Sequence, residues 1–212
     1  MEAPLRVELR AVTKTFGAVR ALVGVSARFE AGKACLVTGP NGSGKSTLLA
    51  IVGTLAKPTS GQIDHGALGR TRDEVRRTLG WVGHETLCYG DLTGRENIEL
   101  AARLHGLSPR EAMARAAERF ELGAFADRVV RTYSRGQRQR VALARALVHA
   151  PALLLLDAPS AGLDAASVVR LVGVVREEVA RGAVVVVVTH DPALGKALEG
   201  IELVLERGRV VA

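Results

Sequence analysis

Aromatic side chains are scarce in this chain, with one Trp, two Tyr and four Phe among 212 residues. So few π-faces make a poor platform for stacking single-stranded bases, and there is no basic tail to track a phosphate backbone. Direct nucleic-acid binding is therefore not expected. Cysteine is equally sparse: Cys35 and Cys88 stand far apart and form no C-x-x-C pair, which argues against a disulfide framework and fits reduced thiols in a cytosolic protein. Long apolar runs are missing too. The longest, Leu153–Leu156 and Val184–Val188, are strand-length and far from the roughly 18 residues a membrane span requires. Met1-Glu-Ala-Pro-Leu-Arg6 lacks the basic start and apolar stretch of a secretory leader. Acidic residues are outnumbered, 22 against 29 Lys and Arg, for a net charge of +7. The arginines are spread along the chain, an excess that suits work beside an anionic membrane surface better than nucleic acid. No internal repeat or low-complexity segment is visible.

Among the features present, Gly39-Pro40-Asn41-Gly42-Ser43-Gly44-Lys45-Ser46-Thr47 carries the most information. It fits G-x-x-x-x-G-K-[ST], and it lies between an apolar strand-like run, Ala34–Val37, and a helix-compatible run, Thr47–Val52. In that setting the glycines allow the loop to curl with its N–H groups pointing inward at the β- and γ-phosphates of a nucleotide. Lys45 adds a point charge, Ser46 offers a hydroxyl to Mg²⁺, and the helix contributes its positive end. The expectation is binding of a nucleoside triphosphate.

The flanking pattern supplies a fold. Leu5–Ala11 and Val23–Phe29 alternate as antiparallel strands do, and a short strand is expected near Gln62–Asp64 after the turn Lys57–Gly61. Beyond Trp81-Val82-Gly83 the pattern turns helical. Thr93-x-x-Glu96 and Ser108-Pro109-x-Glu111 read as capping boxes, and a third helix is expected from about Gly136 to Ala150, stopping at Pro151. Two uninterrupted apolar strands then enclose a helix from about Ala165 to Arg181, the mark of parallel strands covered on both faces. Ile201–Val211 reads as a closing hairpin turning at Arg207-Gly208. The fold class is α/β. A P-loop NTPase core, about 1–83 and 151–212, has a mostly parallel sheet with an N-terminal antiparallel part, and a helical subdomain, about 84–150, interrupts it. All of it forms one domain, 1–212.

A phosphate loop needs a second anchor for Mg²⁺, usually a carboxylate at the end of a neighbouring apolar strand. Asp157, closing Leu153-Leu-Leu-Leu, meets that need at the carboxyl end, where ligands of open α/β sheets gather. About 20 residues earlier stands Tyr133-Ser134-Arg135-Gly136-Gln137, which resembles the signature motif of the ABC-transporter ATPases. Ser160-Ala-Gly-Leu-Asp164 resembles that family's D-loop and Val188-Thr-His190-Asp its switch histidine, while Phe16 takes the place of the aromatic that stacks on adenine. The resemblance spans residues 16–190. It implies an ATPase using ATP and Mg²⁺, with metal at Ser46, Asp157 and His84, and with catalytic roles for His190, His84, Glu85 and Asp164. It also implies that Ser134–Gln137 complete the site of a second ATPase subunit, most simply in a homodimer. Integral-membrane transporter subunits would hold the pair peripherally at the cytoplasmic face of the membrane, contacting the helical insert.

Within the family, Gly80–Asn97 is similar to the haem-exporter ATPases of cytochrome c maturation, short subunits that also carry Gly-His where most relatives have Pro-Gln. A chain with no accessory domain after Ala212 agrees with that branch. Two positions depart from the wider pattern. His84 falls where a Gln is expected, and Ala158 follows Asp157 where most members place the general-base Glu. Arg135 moreover replaces a signature glycine. A methyl group accepts no proton, and losing a positioned base costs about 10² to 10⁴ in rate. Three accounts of Ala158 stand open: a natural degenerate site, an engineered change that traps ATP, or water orientation by His190, Glu85 or His84. Slow turnover is the expectation. The alternative of another class is a nucleotide-gated binding module that dimerises on ATP without productive hydrolysis.

Overall fold

The computed structural model describes residues 5–211. The readings made at Met1–Pro4 and at Ala212 lie outside them. The chain opens with two long strands, β1 (Arg6–Phe16) and β2 (Val19–Glu30), then β3 (Ala34–Thr38) and helix α1 (Lys45–Val52). Next come β4 (Ser60–Asp64), α2 (Arg72–Arg77) and β5 (Leu79–Val82). The middle is helical, with α3 (Gly94–Leu104), α4 (Pro109–Arg119) and α5 (Arg135–Ala146). The last part alternates β6 (Leu153–Asp157), α6 (Ala165–Ala180), β7 (Val184–Val188), α7 (Pro192–Leu198), β8 (Ile201–Glu206) and β9 (Arg209–Val210). This is the expected α/β order, helical insert included.

Two sheets result. Strands β2-β1-β4 form an antiparallel sheet, and β5-β6-β7-β3-β8-β9 form the main one, parallel except for the β8–β9 hairpin. β3, β6 and β7 occupy its middle, and their unbroken apolar sequences follow from coverage on both faces. Because side chains alternate across a strand, successive residues feed two different cores. Leu153, Leu155, Val184, Val186 and Val37 pack with α1 and the antiparallel sheet. Leu154, Leu156, Val185, Val187 and Leu36 pack with α6, α7 and the helical insert. The phosphate loop therefore springs from the centre of a doubly covered sheet. No helix among the described residues is long and apolar enough to cross a membrane.

Local chemistry sets most element ends, with some departures from expectation. Thr93 and Glu96 make both halves of their capping box, the Glu96 N–H donating to Thr93 Oγ1 (3.1 Å) and the Thr93 N–H to Glu96 Oε2 (2.8 Å). At Ser108 only the forward half forms, from the Glu111 N–H at 3.5 Å. α5 ends at Ala146 rather than Ala150. Pro151 disfavours right-handed helical backbone at the residue before it, and Ala150 takes a left-handed φ of 51° in the closing turn. β2 begins four residues before the expected Val23, and the short α2, capped by Thr71 and Glu74, was not anticipated.

Candidate nucleotide site

The loop between β3 and α1 curls because three of its glycines adopt backbone that other residues rarely enter: φ is 132° at Gly39, 78° at Gly42 and 103° at Gly44. Two of them are also hemmed in. A Cβ at Gly39 would lie 2.0 Å from the Leu205 carbonyl oxygen, and one at Gly44 would lie 2.4 Å from that of Ala21. Lys45, buried at the start of α1, donates from Nζ to the carbonyls of Gly39 (2.9 Å) and Pro40 (2.8 Å). Burial lowers its pKa, and the Asp157 carboxylate opposes that shift. The Ser43 hydroxyl is buried inside the loop without a hydrogen-bond partner.

A cavity of about 730 Å³ opens above this loop. Its walls carry Asn41, Gly42, Gly44, Lys45, Ser46 and Thr47, together with Asp157, Ala158, His84 and His190. Asp157 is buried at the end of β6, while His84 and His190 are exposed. The turn bearing His190 is fixed on both sides: the Asp191 N–H donates to Thr189 Oγ1 (3.0 Å), and Asp191 caps α7. Ala158 has a left-handed φ of 50°, and its N–H donates to the Val188 carbonyl (2.9 Å). Its methyl group thus stands at the edge of the same space, where the family pattern would set a carboxylate.

The other expected residues lie elsewhere. Gly39, Pro40 and Ser43 form the underside of the loop. Phe16 is half exposed at the tip of β1, paired with Val19, which does line the cavity; Lys14 Nζ sits 4.8 Å from its ring centroid. Glu85 faces a second cavity of about 840 Å³, shared with His84, Ala158 and Arg135. Asp164 caps α6, accepting from the Ser167 N–H at 2.8 Å, which holds its carboxyl below the usual range. Ser134 and Gln137 cap α5 reciprocally (3.2 and 3.1 Å), and Ser134–Gln137 do not line the phosphate-loop cavity of their own chain. Sequence reasoning missed Val19, Arg20 and Ala21 of β2, which close one side of the cavity. Only tertiary packing brings them there, and no local motif marks them.

The donor set fits a Mg²⁺–nucleotide. The Ser46 hydroxyl and Asp157 carboxylate are hard oxygen donors in one cavity, whereas the His84 imidazole is a softer ligand less suited to Mg²⁺. Among the described residues no cluster of three or more His, Cys, Asp or Glu could cage a metal alone. Mg²⁺ keeps waters and takes phosphate oxygens alongside one or two protein groups, so the two oxygen donors of Ser46 and Asp157 meet its usual protein share.

The fold and this loop define a P-loop nucleotide-binding cassette, and comparison with known proteins gives its family. Residues 22–161 match the ABC transporter family. The chain belongs to that family and carries its ATPase cassette. It is 37% identical over 204 residues to the daunorubicin resistance ATP-binding protein DrrA3 of Streptomyces coeruleorubidus, covering 94% of this chain but 65% of that longer protein. It is 39% identical over 176 residues to the cytochrome c biogenesis ATP-binding export protein CcmA of Salmonella typhi, covering 82% and 84%. It is 32% identical over 220 residues to the arginine transport ATP-binding protein ArtP of Escherichia coli K12, covering 98% and 91%. Its fold matches the dimeric structure of MJ0796, a bacterial ABC transporter cassette, at a TM-score of 0.87, with 32% identity and 97% of each chain covered. A post-hydrolysis dimer of MJ0796 with ADP and Pi matches equally well.

Proposed function

We propose that this chain is the ATP-binding subunit of an ABC transporter, pairing with a second copy around ATP and coupling nucleotide binding to membrane subunits. The observation that carries the proposal is one cavity that unites Lys45, Ser46, Asp157, His84 and His190, while Ser134–Gln137 at the start of α5 do not line it. In this reading the loop amides and Lys45 hold the phosphates, Phe16 meets the adenine, and His190 hydrogen-bonds the γ-phosphate. Ser46 and Asp157 hold Mg²⁺, which when bound neutralises charge on the phosphate oxygens. The free N–H groups of α5, with the positive end of its dipole, would meet the γ-phosphate of the second copy. The dimeric MJ0796 cassette supports the pairing of two copies.

Transfer of the γ-phosphoryl group to water requires a proton acceptor beside the attacking oxygen. Ala158 offers none, so turnover is slow, and a nucleotide-gated module that closes on ATP without useful hydrolysis is the second reading that this residue favours. For the cargo, we favour haem export in cytochrome c maturation. Gly83-His84 and the likeness to CcmA support it, and the helical insert would meet the membrane subunits at the cytoplasmic face. Drug- and amino-acid-transport relatives of similar identity make the partner the deciding observation. The test has three readings. Mg²⁺-dependent ATP affinity must be present and must fall sharply in Lys45→Ala. Phosphate release should rise about 10²- to 10⁴-fold in Ala158→Glu; a wild-type rate that this variant leaves unchanged refutes the role given to position 158. Membrane subunits that co-purify should handle haem, and an unrelated permease would overturn the branch.

A further inference from the structure

Gln139 has no part in the chemistry above, yet it is a buried amide, only 8% exposed, one turn into α5. Its Nε2 donates to the Pro159 carbonyl at 3.1 Å. That carbonyl belongs to the loop that leaves Asp157, passes Ala158 at the cavity wall, and ends at the Asp164 cap of α6. One turn earlier on the same helix, Arg135 lies against the same loop, its Cδ filling the space that a Cβ at Gly162 would need (2.2 Å). At its other end α5 holds the segment after β5. Arg145 Nη2 donates to the Thr86 carbonyl at 3.1 Å, and its Nη1 to that of Leu87. One rigid helix therefore grips both segments that bring residues 84 and 158 to the cavity.

We infer that Gln139 is a positioning residue, which fixes the Ala158–Gly162 loop to the helix whose N-terminal end faces the second copy. This rests on the ATPase reading above. The physical reason lies in Pro159: it has no N–H, and its carbonyl is met by this one amide from outside the loop. A buried carbonyl stripped of its donor is costly, so the loop would move to find another partner. Residue 158 and the cavity edge would move with it. When the second copy draws on the start of α5, Gln139 carries that displacement to the water side of the γ-phosphate. The loop amides, Lys45 and Ser46 belong to α1 and its preceding turn, and Asp157 is held within β6 by its pairing with Val188 of β7, so binding of the nucleotide itself does not depend on Gln139.

The experiment separates these two properties. Gln139→Met keeps the side-chain length without a donor. Gln139→Glu keeps the shape but turns an acceptor towards the Pro159 carbonyl. Equilibrium Mg-ATP affinity and single-turnover phosphate release are measured for each variant and for the wild type, with melting curves recorded alongside. Both variants should keep the wild-type dissociation constant within about threefold and slow phosphate release by roughly 10- to 100-fold, the cost of moving by about an ångström the wall against which the attacking water stands. Unchanged release in Gln139→Met overturns the inference, and so does a fall in affinity matching the fall in rate. A wild type without affinity for Mg-ATP would instead remove the reading of the site on which this stands.

Discussion

Replacing either of two glycines in the phosphate loop by alanine should have very different consequences, although the substitution is the same. At Gly42 φ is 78°, and a new Cβ would meet nothing within 4 Å. The cost is then only the left-handed backbone, about 1–2 kcal/mol. At Gly39 φ is 132°, and the new Cβ would sit 2.0 Å from the Leu205 carbonyl oxygen and 3.1 Å from Ser43 Oγ. The first obstacle is backbone of β8, hydrogen-bonded beside β3, so it cannot swing away as a side chain would. Overpacking of this kind adds about 1–3 kcal/mol, for a total of roughly 2–5 kcal/mol. In a domain of this size each kcal/mol lowers the melting temperature by about 2–4 °C. Gly39→Ala should therefore melt about 2–12 °C below Gly42→Ala. It should also lose ATP affinity, because shifting residue 39 displaces the carbonyls that hold Lys45. Calorimetric melts of both variants, with and without Mg-ATP, read both effects. Equal melting temperatures for the two variants would refute the reasoning.

Two further outcomes follow from the join between the insert and the core. The Glu178 carboxylate, 4% exposed, takes Arg119 of α4 at 2.8 Å and Arg181 just beyond α6. Glu178→Ala takes the buried acid from Arg181 and leaves Arg119 with Glu177 alone, 2.7 Å away; with both guanidinium groups partly in solvent it should cost about 1–3 kcal/mol, measured by urea unfolding, and a loss below about 0.5 kcal/mol would contradict this pairing. Nearby, the His149 ring stacks on that of His105, with centroids 3.7 Å apart. Burial, then the neighbouring His105, pushes its pKa down to about 4 from an ordinary 6.5. The unfolded chain thus binds the proton more readily. His149 contributes stability above pH 6.5 that is lost as the pH falls towards 4, at most about 3 kcal/mol. Unfolding at pH 7.5 and pH 5 should show a steeper decline in the wild type than in His149→Asn, and parallel declines would refute it.

Much of the scaffold was legible because its signals are local. The glycines of the phosphate loop, the carboxylate closing four leucines, and the Thr93-x-x-Glu96 pair each state their geometry within a few residues. The parallel core could be read from Leu153–Leu156 and Val184–Val188 because strands buried on both faces need no polar alternation. The misses were of another kind. The wall built by Val19–Ala21 depends on how the antiparallel sheet packs beside α1, a relation with no sequence period. The bond from Gln139 spans 20 residues to a carbonyl, and a carbonyl is common to every residue type. The helix at Arg72–Arg77 is too short to show an apolar face, and Thr71-x-x-Glu74, a capping box of the same spacing as Thr93-x-x-Glu96, is the local signal that marks its start. Ser108 and Glu111 show the reverse failure, where the right residues stand at the right spacing and only one of the two bonds forms.

The two bonds from the Lys45 ammonium to Gly39 and Pro40 bear on how a ligand is received. They join the base of α1 to the far side of the same turn, so the chain's own contacts draw the ring of amides into shape. Little chain freedom remains to be surrendered on association, and the energy of the new contacts goes to affinity instead of to ordering the turn. Severing that internal tie should leave a slacker, slower receptor even for ligands too small to touch the ammonium.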